Sequence, residues 1–575
     1  MSALAIDTLS VLERPVPQSV SVTIIAQDPS VRVGGSILTA QVRIPAEHLD
    51  PGPRGARFHV VDYDGATGTL LPPAVLAPEV QDRFADATDA ELTGDAEFRA
   101  QNVYAIAART LAGFEAALGR RLGWGFDGHQ LFLVPHAIAE ANAYYAPEDG
   151  AIYFGYVPRE DGELQTALSH DIVAHETTHA ILDGLRPLYA EPGLPDQPAF
   201  HEALADVVAL LSLFSIPGVA ARLLDPSGDG GRLAAERLTP DALRRSALLT
   251  LAEQLGDHDG DGAGSERGGG LRRSVELLPT TTWRAEREFA EPHRRAEVLV
   301  AAVTQTLLRM WTSRLPAIAA EDGSADRARV AEEGATAAAH LLRMAMRGVD
   351  YLPPVELEYE DVLDAILKAD EVVAPDDEHG YRDALHDAFA AFGIERPSGR
   401  LIDLSRSGRP VYERMNFAIL RSDRDEVFRF LWENADVFEL DRECGWLRVE
   451  SVRPSVRVGP DGLVVPEVVA SYVQTLELTA GELAERGATV PGGLPPETKL
   501  QLRGGGVVVF DQFGRAKLHQ HKRLDDWDRQ TRRLAYLVAY GLVDSRGRFG
   551  FTLSQPRGQR FAALHVAAGD EAERW

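Results

Sequence analysis

The segment DIVAHETTHAILD at residues 171–183 restricts the fold of this chain more than any other, because it contains the pattern H-E-x-x-H. His175 and His179 are four residues apart, so a helix places both imidazole rings on one face, a turn apart. Both rings can then bind one metal ion, with the carboxylate of Glu176 beside it. The pattern predicts a helix here and requires a third ligand from another element.

The segment HEALAD at residues 201–206 provides the candidate third ligand. Glu202 and Asp206 have the same four-residue spacing, so they share one face of a second predicted helix. We predict that Glu202 binds a zinc ion and that Asp206 accepts the second N–H of one ligand histidine. Two histidines and one glutamate leave the fourth position to water, which distinguishes a catalytic zinc site from a structural one.

The composition is typical of a soluble globular protein, since 45% of the 575 residues are hydrophobic and 25% are charged. Cys444 is the only cysteine, which excludes an intrachain disulfide and a zinc site built from cysteines. The net charge of −28 comes from residues 1–395, with 32 basic and 62 acidic side chains, whereas residues 396–575 have 27 and 25. An acidic surface repels phosphate groups and argues against a nucleic-acid partner, although it can equally serve solubility alone.

Two features bear on the location of the protein. The first twenty residues have no basic start, and Asp7 and Glu13 interrupt what would be the apolar part of a signal peptide. The most apolar stretch, residues 207–221, contains Pro217 and Gly218 and fits a buried helix and its exit better than a membrane span. We therefore expect a cytoplasmic protein with no membrane partner, while export by another route and the oligomeric state stay open.

The pattern of apolar residues predicts an α+β chain in three parts. Residues 20–75 alternate apolar and polar side chains, and two further strand signals follow a long helix, so residues 1–165 predict a β-rich lobe with an edge strand. Residues 396–575, where the charge balance changes, predict an α+β accessory domain of hairpins and a helix. Residues 166–395 predict a helical lobe in which Ser169 caps the H-E-x-x-H helix and Gly184 ends it. Further helices of this lobe are expected at 295–313, 328–346, 358–370 and 379–392.

These motifs resemble the thermolysin-like gluzincin metallopeptidases. DIVAHETTHA is almost identical to the motif helix of that family, and E-x-x-x-D on the next helix matches its third ligand and supporting carboxylate. ANAYY at 141–145 and the strand after it are similar to the family's edge strand, so Asn142 and Ala143 are implied to bind the substrate backbone. The resemblance covers about residues 55–395 and implies a thermolysin-like two-lobed peptidase with one catalytic zinc ion and peptide or protein substrates.

The resemblance also implies a mechanism. Zinc polarises a water molecule and the scissile carbonyl, and Glu176 passes the proton of the water to the leaving amine. Tyr189 and His293 are near the positions of two family residues that stabilise the developing negative charge. Tyr189 could instead pack its ring under a loop, and His293 could be structural. The carboxylate partner of the histidine is left open between Glu288 and Glu291, and the arginine for the substrate carbonyl between Arg267 and Arg272.

The chain departs from the secreted members of the family in its calcium sites and its control. Asp257, Asp259 and Asp261 resemble the start of a calcium loop, but Gly268 replaces the glutamate that would close it. This pattern favours a solvated loop over a Ca²⁺ site. We expect neither a signal peptide nor an inhibitory prosegment, and we hypothesise that residues 396–575 or the acidic surface restrict substrate access.

Two alternative functions stay open. One is a restricted peptidase that acts on a single partner or on short peptides. The other is a non-catalytic binding protein that keeps zinc as a structural pin, although Glu176 and the lack of an evident fourth ligand favour catalysis. His519 and His521 also share one face of a predicted strand, but with no third ligand evident they predict a polar surface.

Overall fold

The structure is a computed structural model, and it has the mixed helices and strands of an α+β protein, as predicted. The residues that it describes are 19–76, 82–159, 162–224, 231–248, 273–396, 401–404, 410–412, 415–459, 461–492 and 494–540. The predicted calcium loop and both candidate arginines for the substrate carbonyl lie outside these residues.

The N-terminal part contains the strands that precede the H-E-x-x-H helix. Strands β1 (Ser19–Ile25) and β4 (Thr39–Pro45) pair antiparallel, and two short hairpins are formed by β2 (Arg32–Val33) with β3 (Ser36–Ile37) and by β6 (Tyr63–Asp64) with β7 (Thr69–Leu70). A five-stranded sheet has the order β11-β10-β8-β5, and β9 also pairs with β10. Its strands are β5 (Phe58–Val60), β8 (Leu131–Ile138), β9 (Ala143–Ala146), β10 (Ala151–Arg159) and β11 (Gly162–Gln165).

The described residues before position 396 include the following helices. They are α1 (Asp89–Gly94), α2 (Ala96–Leu118), α3 (His170–Leu185), α4 (Asp196–Phe214), α5 (Pro217–Leu224), α6 (Pro240–Leu243), α7 (Pro292–Arg314), α8 (Arg327–Gly348), α9 (Tyr359–Val373) and α10 (Tyr381–Ala391). The last four match the predicted helices to within a turn, because each has a regular apolar face. Between α5 and α8, β12 (Arg232–Leu233) pairs with β13 (Ala325–Asp326).

The predicted end of the motif helix is wrong by a short distance. Gly184 lies inside α3, and the helix continues to Leu185 with Arg186 as its C-cap. A β-carbon at Gly184 would lie 2.2 Å from the carbonyl oxygen of Gly123, so glycine allows the two backbones to touch. The glycine therefore marks a close packing contact instead of a helix terminus.

The C-terminal part contains a second sheet, whose strands are all antiparallel in the order β14-β18-β17-β16-β15. The strands are β14 (Leu401–Asp403), β15 (Trp446–Val458), β16 (Val464–Thr479), β17 (Lys499–Asp511) and β18 (Ala516–Lys522). The helices are α11 (Phe417–Leu420), α12 (Arg424–Glu433), α13 (Ala480–Glu485) and α14 (Trp527–Ala539). His519 and His521 lie on β18 and are buried, so the predicted polar surface is wrong.

The C-terminal sheet shares the main hydrophobic core of the protein. Val469, Val507, Val509 and Leu518 belong to the same buried cluster as the helices that surround α3 and α4. The rest of the C-terminal part has two smaller clusters of its own. The second sheet is therefore packed directly against the helical part.

The structure also bears on membrane spans. No single helix in the described ranges is long and apolar enough to cross a membrane, although α4 and α5 together pass the same test of length and composition across a bend of 82°. Nearly all residues of α4 and half of those of α5 are buried inside the protein.

Candidate metal centre

Helix α3 carries the first two candidate ligands and the candidate base on its buried side. His175, Glu176 and His179 are all buried. Ser169 is the N-cap residue of α3, as predicted. Its hydroxyl donates a hydrogen bond to Asp171, however, and does not accept one from a backbone N–H of the helix. The four-residue spacing places the two imidazole rings 4.5 Å apart, at an angle of 87°.

Helix α4 brings Glu202 to the two imidazole rings. Its Oε2 lies 3.5 Å from Nε2 of His175 and 3.6 Å from Nε2 of His179. One donor atom from each of the three residues falls within 4.8 Å of the others. Ligands that bind one ion tetrahedrally, with bonds of about 2.1 Å, lie about 3.4 Å apart. This buried group of two nitrogen donors and one carboxylate could therefore hold a metal ion.

The second ring nitrogen of each candidate ligand has its own partner. Nδ1 of His175 lies 2.9 Å from Oδ1 of Asp206, the partner that the spacing in HEALAD predicts. Nδ1 of His179 lies 2.8 Å from Nδ1 of His201. Hydrogen bonds at Nδ1 hold each ring with Nε2 toward Glu202, which is the orientation that metal binding requires.

The carboxylates around His175 also change its acidity. Burial disfavours the charged ring, but the hydrogen bonds with Asp206 and Glu202 and the charge of Glu176 outweigh it and raise the pKa of His175 to about 10. A cation is therefore favoured at this position, whether it is the protonated ring or a metal ion.

The candidate base is tied to the edge strand of the N-terminal sheet. Oε2 of Glu176 accepts a hydrogen bond of 3.0 Å from the backbone N–H of Tyr145 in β9. The hydroxyl of Tyr145 donates to Asp183 at 3.1 Å, two turns further along α3. The strand therefore runs beside the helix face that carries Glu176.

Asn142 and Ala143 lie where β9 begins. The side-chain oxygen of Asn142 accepts a hydrogen bond from the N–H of Ala143 at 2.9 Å. The backbone carbonyl of Asn142 accepts one from the N–H of Gly155 at 2.8 Å. These bonds fix the approach to the edge strand. Substrate binding by the two residues stays a prediction.

His293 lies beside the three candidate ligands, in the first turn of α7. Its Nε2 is 3.7 Å from Oε2 of Glu202, and 26% of its side chain is exposed. Glu291 resolves the choice of carboxylate partner: it lies 2.7 Å from Nδ1 of His293 and also caps α7. Glu288 pairs with Arg294 instead. Burial opposes the charge on Glu291, but its hydrogen bonds with His293 and the helix N–H groups lower its pKa.

A buried ion pair fixes the distance between the helices that carry Glu202 and His293. Asp196 in the first turn of α4 pairs with Arg295 in the first turn of α7. The second oxygen of Asp196 accepts the backbone N–H of Tyr359 at 2.9 Å. Loss of one partner would leave a buried charge, so this contact aligns the helices strongly.

Tyr189 lies in the segment between α3 and α4. Its ring is buried and packs edge-on against Phe200, while its hydroxyl donates to the carbonyl of Pro353 at 2.5 Å. Burial raises the pKa of its hydroxyl. This hydrogen bond would have to break before the hydroxyl could reach a substrate, and its catalytic role stays a prediction.

His201 is the functional candidate that the sequence did not reveal. It precedes Glu202 directly, and that adjacency was a usable signal, because second ring nitrogens of ligand histidines need partners. The sequence could not show that α3 and α4 pack so that the rings of His201 and His179 meet. Only the relative orientation of the helices decides it.

The chain matches no protein-family model and no curated protein sequence.

Proposed function

We propose that this protein is a zinc-dependent endopeptidase of the thermolysin-like type, in which Glu176 is the general base. The observation that carries the proposal is the group around Glu202. Among the described residues, His175, His179 and Glu202 supply three donors that could hold one ion, and Glu176 lies on the same helix. Three protein donors are typical of a catalytic zinc site, whereas a structural site has four.

Each residue of the site has a distinct part in this proposal. A bound zinc ion supplies Lewis-acid chemistry and makes a water molecule acidic near neutral pH. Glu176 accepts the proton of the attacking water and delivers it to the leaving amine. The N–H of Tyr145 orients the Glu176 carboxylate, which therefore keeps one direction before substrate arrives.

His293 would stabilise the negative charge that develops on the scissile carbonyl oxygen. Its Nδ1 is held by Glu291, and this role requires a protonated ring, which also carries a proton on Nε2. That Nε2 lies 3.7 Å from Oε2 of Glu202, and 26% of the side chain is exposed. An N–H donor at this position is worth about a hundredfold or more in rate.

The edge strand β9 provides a place for the peptide. In a peptidase of this kind the substrate adds to a strand edge through its backbone, and β9 lies beside α3 at Glu176. Asn142 and Ala143, at the start of β9, would contact the peptide backbone. The two-lobed arrangement, a β-rich lobe and a helical lobe with the site between them, belongs to this proposal.

The test is metal content and peptide hydrolysis of the full chain. We expect about one zinc per chain and cleavage of a broad mixture of peptides. Glu176→Gln should keep the zinc and lose about a hundredfold or more of the cleavage rate, because a general base contributes at least that much. Glu332→Gln, on the exposed side of α8, is the matched control and should leave both unchanged.

Two results would contradict the proposal. Cleavage by Glu176→Gln at the parental rate would exclude the mechanism. One zinc per chain without cleavage of any peptide would favour the non-catalytic alternative.

A further inference from the structure

The segment formed by residues 186–195 joins the two helices that carry the candidate ligands. Its regular structure is the short turn Pro187–Ala190. The segment links the helix of His175 and His179 to the helix of Glu202. Metal ligands must be held within about 0.5 Å of their working positions, so whatever holds this segment affects metal binding.

The first contact to this region comes from β15 in the C-terminal sheet. Arg453 donates to the carbonyl of Leu185 at 2.9 Å and to that of Gly184 at 3.2 Å. These are the last carbonyls of α3, which have no partner within the helix and carry its negative dipole end. Burial lowers the pKa of Arg453 to about 9. A cation from the C-terminal sheet therefore caps the motif helix.

The second contact comes from β17. Arg503 donates to Oε2 of Glu191 at 2.7 Å, and the two side chains are only 13% and 23% exposed. Glu191 follows the turn Pro187–Ala190 directly. This ion pair attaches the middle of the segment to the C-terminal sheet, where limited solvent access preserves its strength.

The third contact comes from α14 and passes through two buried side chains. Arg533 pairs with Glu356 at 2.6 Å, and both are almost fully buried. The backbone N–H of Glu356 donates to the side chain of Gln197 at 2.8 Å. Gln197 in turn donates to the carbonyls of Glu191, at 2.8 Å, and Leu188, at 3.1 Å. Gln197 lies in α4, one and a half turns before Glu202.

Glu356 adds backbone strain to this third contact. Its φ is +56°, in the left-handed region that side chains other than glycine rarely occupy. Such a conformation persists only where several interactions hold it. The ion pair with Arg533 and the hydrogen bond to Gln197 are two such interactions.

We propose that the C-terminal sheet and α14 position the metal centre: Arg453 holds the end of α3, and Arg503 and Arg533 hold the segment that joins the two ligand helices. They are positioning residues that act through α3, the segment and α4. The inference rests on the metal centre of the proposed function. It gives residues of the last third of the chain a role in metal binding that is separate from any control of substrate access.

The experiment measures zinc affinity of the full chain by competition with a chelator, at one pH and salt concentration. Arg503→Gln and Glu191→Gln break the same contact from its two sides, and each is expected to weaken zinc binding about fivefold, as for residues coupled in one network. The double variant should be no weaker than either single variant. Arg503→Lys should stay within about twofold of the parent, because the contact is a single hydrogen bond that an ammonium group can make.

Arg448→Gln is the matched control. Arg448 lies on β15 and pairs with Glu450 of its own strand at 2.6 Å, with 69% of its side chain exposed. We expect unchanged zinc affinity in this variant. Thermal unfolding of every variant is measured in parallel.

The outcomes separate positioning from simple stability. Lower zinc affinity in both single variants, restored by Arg503→Lys, supports the inference. Unchanged zinc affinity in Arg503→Gln and Glu191→Gln would overturn it, whether or not their unfolding temperatures fall. Because the readout is zinc binding, failure to hydrolyse peptides would contradict the proposed function and leave this inference standing.

Discussion

Two pairs of histidines in this protein have almost the same spacing and opposite surroundings. The rings of His175 and His179 on α3 are 4.5 Å apart and nearly perpendicular, at 87°. The rings of His519 and His521 on β18 are 4.4 Å apart and stacked, at 12°. The helix turns successive side chains around its axis, whereas residues two apart on a strand point the same way. The perpendicular rings of α3 can direct their nitrogens to one point, whereas the nearly parallel rings of β18 point their nitrogens in similar directions.

The hydrogen-bond and ion-pair partners of the two pairs differ as well. A carboxylate oxygen of Glu202 lies within 3.6 Å of Nε2 of both α3 histidines. On β18, Nε2 of His519 meets the hydroxyl of Tyr472 at 2.8 Å. Burial and the charge of His521 hold the pKa of His519 well below its usual value, whereas the carboxylates raise that of His175. Nε2 of His521 also has a carboxylate neighbour, Glu439 at 3.3 Å. The two pairs therefore differ in that one carboxylate oxygen lies near both rings of the α3 pair, and in the direction of the rings.

The largest expected effect is on the amount of zinc bound per chain, which should differ between variants of the two histidine pairs. His179→Ala removes one of three ligands, and we expect zinc per chain to fall from about one to near zero after dialysis. His521→Gln should keep about one zinc per chain. The measurement is elemental analysis of the dialysed proteins. Loss of zinc from His521→Gln would contradict the distinction between the two pairs, because it would show that the β18 pair belongs to a metal site.

A smaller effect is expected from the partners of the rings. His201→Leu removes the partner of Nδ1 of His179 and should weaken zinc binding about 10- to 100-fold, as for other residues behind metal ligands. His201→Asn should restore most of the affinity, because the amide oxygen takes nearly the position of the imidazole Nδ1 and accepts the same hydrogen bond.

The matching change at the second pair is Tyr472→Phe, which removes the hydroxyl next to His519. It should lower stability and leave the zinc dissociation constant unchanged. Equal zinc affinity in the parent and His201→Leu would show that the Nδ1 contact does not position His179.

The smallest effect is the pH dependence of stability in the zinc-free protein, where the two pairs should have opposite signs. The pKa of His175 in the folded state is raised to about 10. Its contribution to the free energy of unfolding is therefore complete below the pKa of the unfolded state, about 6.5, and is lost as pH rises toward 10. The folded pKa of His519 is depressed, so stability is lost as pH falls below about 6.5. Each slope is about 1.4 kcal/mol per pH unit.

Denaturant unfolding between about pH 5 and pH 9 measures both slopes. His175→Gln should flatten the alkaline side, and His519→Gln should flatten the acidic side. If either variant flattened the opposite side, the assignment of charge to the two pairs would be reversed.

Much of the site could be predicted, because its residues lie within two short segments whose spacing alone places the residues of each on one helix face. The spacing within DIVAHETTHAILD and HEALAD identified the group of His175, His179 and Glu202 and the partner Asp206, all of which lie together. Four residues correspond to about one helical turn in any helix, so neighbours on one face need no knowledge of the rest of the fold.

The errors arose where a second segment decides the environment. Gly184 was expected to end α3, but it lets the backbone of Gly123 approach. His519 and His521 were expected on a polar surface, but they are buried, and Phe438 packs edge-on against His519. Alternation along a strand shows which side chains share a face and cannot show what covers that face.

The sequence by itself determined the donor types and the helices that present them, because periodicity along a helix follows from backbone geometry alone. The tertiary structure decided which groups meet across helices: His201 with His179, His293 near Glu202, Arg453 at the end of α3, and Arg503 at the segment between the ligand helices. These contacts join residues far apart in the chain. Their distances follow from how whole elements pack, which local spacing does not encode.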